Sequence, residues 1–308
     1  MQEAEAFKRL YPEEYLDRFL VKDIRPDGRG LRSTREISVH ASPLSSAPGS
    51  AVVRMGNTTV ITSVELGLFD LGEESVAGRL EHELDVGPLG TTHNNGSIAR
   101  NRQQTSAVSG RVRQILCRSI DLGSLKLSEP GEEASPGGGK AWALHVKSVC
   151  LSLDGCLFDA TLASAVAALA TLRFPRRLEQ LGEDAAGEDG GRPEGDGALR
   201  FLWVPACTAV ALHKGRLLVD PTDFEESLAS AVVAVVWGRR ADSPGGEEPE
   251  VLALELGSEG QRASVDAQLV RRCLGVCGGR GTSQRLAALA SLLVEDIDGG
   301  EADGMMEA

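Results

Sequence analysis

The chain has 308 residues, 42% of them hydrophobic and 25% charged, which is enough apolar material for one large core or two smaller ones. No stretch of about 18 apolar residues is free of charge, and the first residues are charged from Glu3 onward, so neither a membrane span nor a secretory signal is expected. The net charge of −13 argues against a nucleic-acid partner, but much of it lies in two segments: residues 179–198 hold seven acids and one base, and residues 295–308 hold six acids and no base. The rest of the chain is nearly neutral.

The first half of the chain alternates helical and strand patterns. Aromatic residues at four-residue spacing predict a helix over residues 7–21, whose regular part begins at Pro12. The RPDGR segment at 25–29 ends that pattern. The segments that follow are predicted as three strands (36–40, 50–56, 58–69), a helix (about 103–120), a strand (141–153) and a buried alanine-rich helix (159–172) with Asp159 as its N-cap.

An acidic, glycine-rich stretch at 179–198 is predicted to be a flexible loop that divides the chain. Beyond it the patterns predict four strands (200–212, 216–220, 229–237, 250–256) and a helical region, 264–297, interrupted at Gly278-Gly279. Each half therefore runs strands first and a helix last, which predicts an α+β chain of two lobes, each a β-sheet packed on α-helices. The predicted boundaries are a helical arm (1–24), a first lobe (25–178), the acidic loop (179–198), a second lobe (199–297) and an acidic tail (298–308).

The six cysteines and five histidines do not form a metal-binding pattern. Cys273 and Cys277 are four residues apart and are expected on one face of a helix, but no histidine or second cysteine pair completes a zinc set. We therefore predict reduced thiols, no metal and no cofactor. The histidines are isolated in the sequence, and no nucleophile-elbow pattern is present.

Several short motifs occur in an order that resembles the RNase PH family. They are RPDGR, a hairpin bearing GNTTV, a strand ending in Asp154-Gly155 before an alanine-rich helix, and LLVDPTDFEE at 217–226. VDPT followed by two acids resembles the ring subunits of the RNA exosome that lack phosphorolytic residues, and residues 11–39 are most similar to one of these subunits. The resemblance covers residues 10–296, apart from the acidic loop.

The resemblance implies an RNase PH-like fold and a place in a six-subunit ring. Such a ring holds RNA without reading its sequence and passes its 3′ ends to associated 3′–5′ exoribonucleases, in rRNA processing and RNA decay. The implied partners are other RNase PH-like ring subunits, S1/KH-type cap subunits, those exoribonucleases and RNA. The implied location is the nucleus, nucleolus and cytoplasm.

The resemblance also implies that the catalytic groups of the active members are missing here. Where those members bind phosphate through a Gly-Gly-Thr-Arg-like or Gly-Ser-Arg-like segment, this chain reads Leu157-Phe158-Asp159-Ala160, and the Asp159 carboxylate is expected to repel phosphate. The acid that active members carry beyond Glu225-Glu226 is absent from residues 227–233. We expect Glu225 and Glu226 to lie on a strand, point to opposite faces and act as solvated or subunit-contact acids.

Two alternatives to the silent ring subunit stay open at this point. One is an active phosphorolytic 3′–5′ exoribonuclease, or a nucleotidyltransferase, of the same family. The other is a regulatory RNA-binding protein that works outside any ring.

The candidate RNA-binding residues lie in the basic segment 97–126, which has six bases and one acid, Asp121. Arg100 and Arg102 follow a Gly/Asn/Ser-rich loop (94–97), and Arg111 and Arg113 lie on the predicted helix. Alternatively, these arginines bridge to acidic neighbours in the ring.

Two further segments are predicted to contact ring neighbours. In RPDGR, Arg25 and Arg29 either tie the arm to a neighbour or make local salt bridges within a plain turn. The apolar segment 229–237 is expected to be an edge strand that adjacent subunits cover.

Overall fold

The computed structural model describes residues 2–71, 77–87, 98–127, 139–175, 197–242, 248–256 and 266–298. Among these residues, none of the helices combines the length and the apolar character that crossing a bilayer requires. The predicted Gly/Asn/Ser-rich loop, nearly all of the acidic loop and all but the first residue of the acidic tail lie outside the described residues.

The first lobe is built on a five-stranded sheet with the strand order β1-β2-β3-β5-β4. Its strands are β1 (Ile37–Ala41), β2 (Gly49–Met55), β3 (Thr58–Asp70), β4 (Arg79–Val86) and β5 (Lys140–Ser152). All neighbouring strands are antiparallel except β4, which pairs parallel to β5. The four strands predicted in this lobe are confirmed, whereas β4 was not predicted.

Two helices pack on this sheet, α3 (Ile98–Ser119) and α4 (Leu157–Ala170). From Phe158 to its end, every residue of α4 is buried, as its uncharged alanine-rich sequence predicted. One hydrophobic core contains α4 together with buried residues of both large sheets, so α4 lies between the two lobes.

The second lobe contains a four-stranded antiparallel sheet with the order β11-β10-β8-β9. A short pair, β6 (Arg173–Phe174) and β7 (Gly197–Ala198), precedes its strands, which are β8 (Trp203–His213), β9 (Arg216–Val219), β10 (Ala231–Arg240) and β11 (Glu250–Leu256). The expectation that the apolar segment 229–237 forms an edge strand is wrong. This segment becomes β10, which is paired on both sides, and its continuous apolar run reflects burial on both faces.

Three helices complete the second lobe: α5 (Asp223–Leu228), α6 (Ala267–Cys277) and α7 (Arg280–Asp298). The break between α6 and α7 falls at Gly278-Gly279, as predicted. Cys273 and Cys277 are both buried in the core between α6 and the sheet, which confirms that they share one helix face.

The N-terminal arm forms two short helices, α1 (Gln2–Leu10) and α2 (Pro12–Leu20), and Pro12 begins the second of them as predicted. Leu16 and Leu20 of α2 are buried against Ala211 and Leu218 of the second lobe. The arm therefore packs on the second lobe, although the first lobe follows it in sequence.

Candidate functional site

The site that the sequence resemblance singles out is the turn between β5 and α4. Gly155 has a φ of +77°, and a Cβ at this position would lie 2.5 Å from the Pro221 carbonyl oxygen. Only glycine fits this turn, because a side chain would collide with the backbone of the second lobe. Cys156 follows with a φ of +53° and is the N-cap of α4, three residues before the predicted N-cap, Asp159.

A carboxylate of this chain occupies the amino-terminal end of α4. The Cys156 N–H donates to Oε1 of Glu226 over 2.8 Å. A helix amino terminus favours negative charge because its first N–H groups have no partner within the helix. Burial raises the pKa of Glu226 to about 7, and the nearby carboxylates of Asp159 and Asp223 act in the same direction.

The prediction that Glu225 and Glu226 are solvated acids on a strand is wrong. Residues 223–228 form α5, which begins with a capping box in which Thr222 and Glu225 bond to each other's backbone N–H groups. Glu225 is 1% exposed, and its Oε2 lies 3.1 Å from Nη1 of Arg25. Both acids therefore bind groups of their own chain.

The expectation that the Asp159 carboxylate occupies the turn and repels phosphate is also wrong. Asp159 lies in the first turn of α4 and points inward, where its Oδ2 accepts hydrogen bonds from the Ala209 N–H at 2.8 Å and from Nη1 of Arg285 at 3.2 Å. Burial raises the pKa of Asp159, although the Arg285 guanidinium counteracts this. Phe158 is buried in the core, so neither residue faces a ligand at the turn.

Two arginines near the turn form ion pairs with another buried acid, Asp220. Arg35 donates to Oδ1 of Asp220 over 2.7 Å through Nη2, and its Nη1 donates to the Asp154 carbonyl oxygen over 2.7 Å. Nη2 of Arg285 lies 3.0 Å from Oδ2 of the same carboxylate. Burial alone would raise the pKa of Asp220, but the two guanidinium groups hold it well below its usual range. These cations therefore neutralise internal acids.

Arg25 of the RPDGR segment is fully buried, with 0% exposure. Its guanidinium donates to the carbonyl oxygens of Val219, Asp220 and Ser33 as well as to Glu225. Arg25 therefore fits neither the predicted tie to a neighbouring subunit nor a salt bridge within the local turn. Its carboxylate partner, Glu225, belongs to the same chain and lies 200 residues away in sequence. Arg29 makes the expected local bridge to Asp27 at 2.6 Å and also reaches Asp220 at 3.4 Å.

The predicted RNA-binding arginines all lie on α3. The side chains of Arg100 and Arg102, in its first turns, are outside the described residues. Nε of Arg111 lies 4.0 Å from Glu255 of β11, and Nε of Arg113 donates to the Leu80 carbonyl oxygen of β4 over 3.0 Å. Both of these arginines thus contact other elements of the same chain.

The partly buried His82 joins two elements of the first lobe. In the first lobe, His82 lies 3.0 Å from the hydroxyl groups of both Ser109 and Ser148, which links α3 to the sheet. Burial lowers the pKa of His82 to about 4, so its ring is neutral at physiological pH. These contacts are those of a structural residue.

Comparison with known proteins agrees with the motifs. Models of the 3′ exoribonuclease family match residues 33–175 (domain 1) and 204–243 (domain 2). The exosome complex component rrp43 of Schizosaccharomyces pombe is 29% identical over 237 residues, which cover 75% of this chain and 82% of the relative. The exosome complex component Rrp42 of Methanopyrus kandleri is 30% identical over 239 residues, covering 77% and 81%.

The fold is found in solved exosome structures. A chain of the Archaeoglobus fulgidus exosome with RNA bound to the active site aligns with a TM-score of 0.67 and 21% identity, covering 92% of this chain and 97% of that chain. The fold, the order of the motifs and the sequence relatives thus agree. The chain belongs to the RNase PH family of 3′ exoribonucleases.

Proposed function

We propose that this chain is a non-catalytic ring subunit of the RNA exosome core. It would help to hold the ring together and to pass RNA 3′ ends to associated 3′–5′ exoribonucleases in rRNA processing and RNA decay. The sequence relatives named as exosome components support the place in the complex. We further propose that it acts in the nucleus, nucleolus and cytoplasm, as the complex does.

The observation that carries the non-catalytic assignment is the occupied amino terminus of α4. Phosphorolysis needs inorganic phosphate bound by free donors and an acid beside the scissile bond. Here the Cys156 N–H already donates to Glu226, and the nearby guanidinium groups of Arg35 and Arg285 already pair with Asp220. A phosphate dianion would have to displace a carboxylate and then lie among further carboxylates.

The proposed partners are other RNase PH-like ring subunits, S1/KH-type cap subunits and the exoribonucleases that receive the RNA. Affinity purification of the tagged full-length chain from cells under gentle conditions, followed by mass spectrometry, tests this directly. We expect ring and cap subunits to co-purify. A chain that purifies alone and stays monomeric at high concentration, yet binds RNA at physiological salt, would instead favour a regulatory RNA-binding protein outside the ring.

For RNA contact we propose Arg100 and Arg102, with Arg111 and Arg113 in lesser roles because of their contacts with Glu255 and Leu80. Reversing the charge of Arg100 and Arg102 together should weaken binding of the assembled complex to single-stranded RNA of any sequence. It should also reduce the slope of log affinity against log salt by roughly 1.4, as expected for two lost phosphate contacts. Reversal of the exposed Arg54 and Arg271 is the matched control, and equal loss in both variants would contradict the assignment.

A further inference from the structure

His213 is the last residue of β8 in the second lobe. Its ring contacts α5 of the same lobe and α2 of the arm. Its ring is nearly inaccessible, with 3% of the side chain exposed. Nδ1 lies 3.0 Å from the carbonyl oxygen of Leu228 at the end of α5, and Nε2 lies 3.1 Å from Oδ1 of Asp17 on α2.

Both partners of the ring can only accept a hydrogen bond. A carbonyl oxygen has no proton to give, and Asp17 is ionised, because its hydrogen bond from Lys214 holds the pKa of Asp17 below its ordinary value even though partial burial acts against this. A neutral imidazole carries one N–H and one lone pair, whereas the imidazolium carries two N–H groups. Only the protonated ring can therefore donate to Leu228 and Asp17 at once.

Among the described residues, the charged side chains bonded beside the ring lie on α2 and on the hairpin of β8 and β9. On α2, Glu13 and Asp17 face Lys214, whose Nζ is 3.5 Å and 2.5 Å from their carboxylates. In the hairpin, Arg216 pairs across the strands with His213, but its Nη1 bonds to Asp23 at 2.7 Å. On the α5 side, the ring contacts the Leu228 carbonyl oxygen. The proton on His213 thus lies between an anion and a carbonyl dipole.

We propose that His213 is a proton-dependent latch that holds the N-terminal arm on the second lobe. Loss of one proton leaves a lone pair facing either Asp17 or Leu228 in a partly buried contact, which is unfavourable. Leu16 and Leu20 still pack on the lobe, so the arm loosens without a global loss of structure. The arm also carries the strongly exposed apolar residues Leu10 and Val21, at 73% and 75% exposure, so the latch controls how this apolar surface is presented.

Hydrogen exchange of the arm in the full-length protein, followed across a pH series and corrected for intrinsic exchange rates, tests the latch. We expect protection of residues 12–20 to fall roughly tenfold as His213 loses its proton, the change expected when one charge-assisted hydrogen bond is lost. Asp17→Asn should remove this pH dependence, because the asparagine amide can donate to the lone pair of the neutral ring. His40→Gln, a change at an exposed histidine, is the matched control and should leave the wild-type profile intact.

Proton-detected NMR of the imidazole nitrogens gives an independent readout. The proposal expects both ring nitrogens of His213 to carry N–H whenever the arm is fully protected. A neutral ring in a fully protected arm would overturn it, as would an Asp17→Asn variant with the wild-type pH profile.

Discussion

At the scale of single residues, the site is defined by acids and arginines that pair with one another inside the chain. Glu226 accepts a hydrogen bond from the N–H of Cys156, the N-cap of α4, whereas Asp159 pairs with Arg285, and Asp220 pairs with Arg35 and Arg285. Asp159 and Asp220 are fully buried, so removing an arginine leaves an unpaired buried charge. These contacts join the two lobes.

Glu226 gives a pH-dependent prediction. Its pKa in the folded protein is about 7, above the ordinary value of 4.5, so the folded state binds this proton more tightly than the unfolded state. Stability from this group is fully present below about pH 4.5 and is lost as the pH rises towards 7. The free energy of unfolding of Glu226→Gln minus that of wild type should be larger at pH 8 than at pH 5, by on the order of 1–3 kcal/mol. Urea unfolding at the two pH values measures this difference. A difference that does not vary with pH, or that matches the exposed control Glu14→Gln, would refute this.

Arg25 gives a prediction about stability. Arg25→Met removes the guanidinium from Glu225 and from four backbone carbonyl oxygens, those of Gly30, Ser33, Val219 and Asp220, at a fully buried position. We expect a loss of about 3–5 kcal/mol in the free energy of unfolding, as for other broken buried ion pairs. The matched control is Arg54→Met at an exposed arginine, which should cost little. Similar losses in both variants would show that the buried contacts of Arg25 contribute nothing special.

At the scale of secondary-structure elements, the two lobes meet across α4. A Cβ added at Gly49 of β2 would lie 2.6 Å from the Ala168 carbonyl oxygen, so the strand and the helix approach too closely for any side chain. Gly49→Ala should therefore destabilise the protein by about 1–3 kcal/mol in thermal or urea unfolding. Gly110→Ala on α3 has no atom within 4 Å of the new Cβ and should stabilise by up to about 1 kcal/mol. Equal effects at the two positions would contradict the tight packing of α4 on β2.

Which elements could be predicted depended on how clearly each segment showed one periodicity. The alanine-rich α4 and the apolar strands β3 and β8 follow from pattern alone. The strand β4 was missed although Leu80, Leu84 and Val86 alternate with charged residues at positions 81, 83 and 85, the pattern typical of a strand with one exposed face. The helix α5 was missed although Thr222 and Glu225 form a capping box, a signal that the sequence contains.

The candidate site was predictable in position but not in its contacts. The motifs marked the turn before α4 and the acids at 225 and 226, yet the partners of these residues lie far along the chain. Cys156 and Glu226 are 70 residues apart, and Arg25 and Glu225 are 200 apart. The local sequence pattern cannot show which distant residues pair. Charged residues that form buried contacts were therefore predicted to be solvated.

At the scale of the whole molecule, much of the net charge of −13 comes from residues 179–198 and 295–308, and the rest of the chain is nearly neutral. Within the described residues, several arginines bind carboxylates or carbonyl oxygens of the same chain, among them Arg25, Arg35 and Arg285. Affinity for RNA must then come from the remaining cations and from ring neighbours. This division fits a scaffold subunit better than an enzyme that binds phosphate on its own.

We propose that this member of the family does not phosphorolyse RNA. The most direct test is to incubate the purified full-length chain, alone and with its co-purified ring partners, with end-labelled RNA and inorganic phosphate, and to follow release of nucleoside diphosphates. We expect no phosphate-dependent shortening of the RNA by the chain alone. Any phosphate-dependent shortening by the complex should not depend on Glu226. Phosphate-dependent degradation that Glu226→Gln abolishes would contradict it.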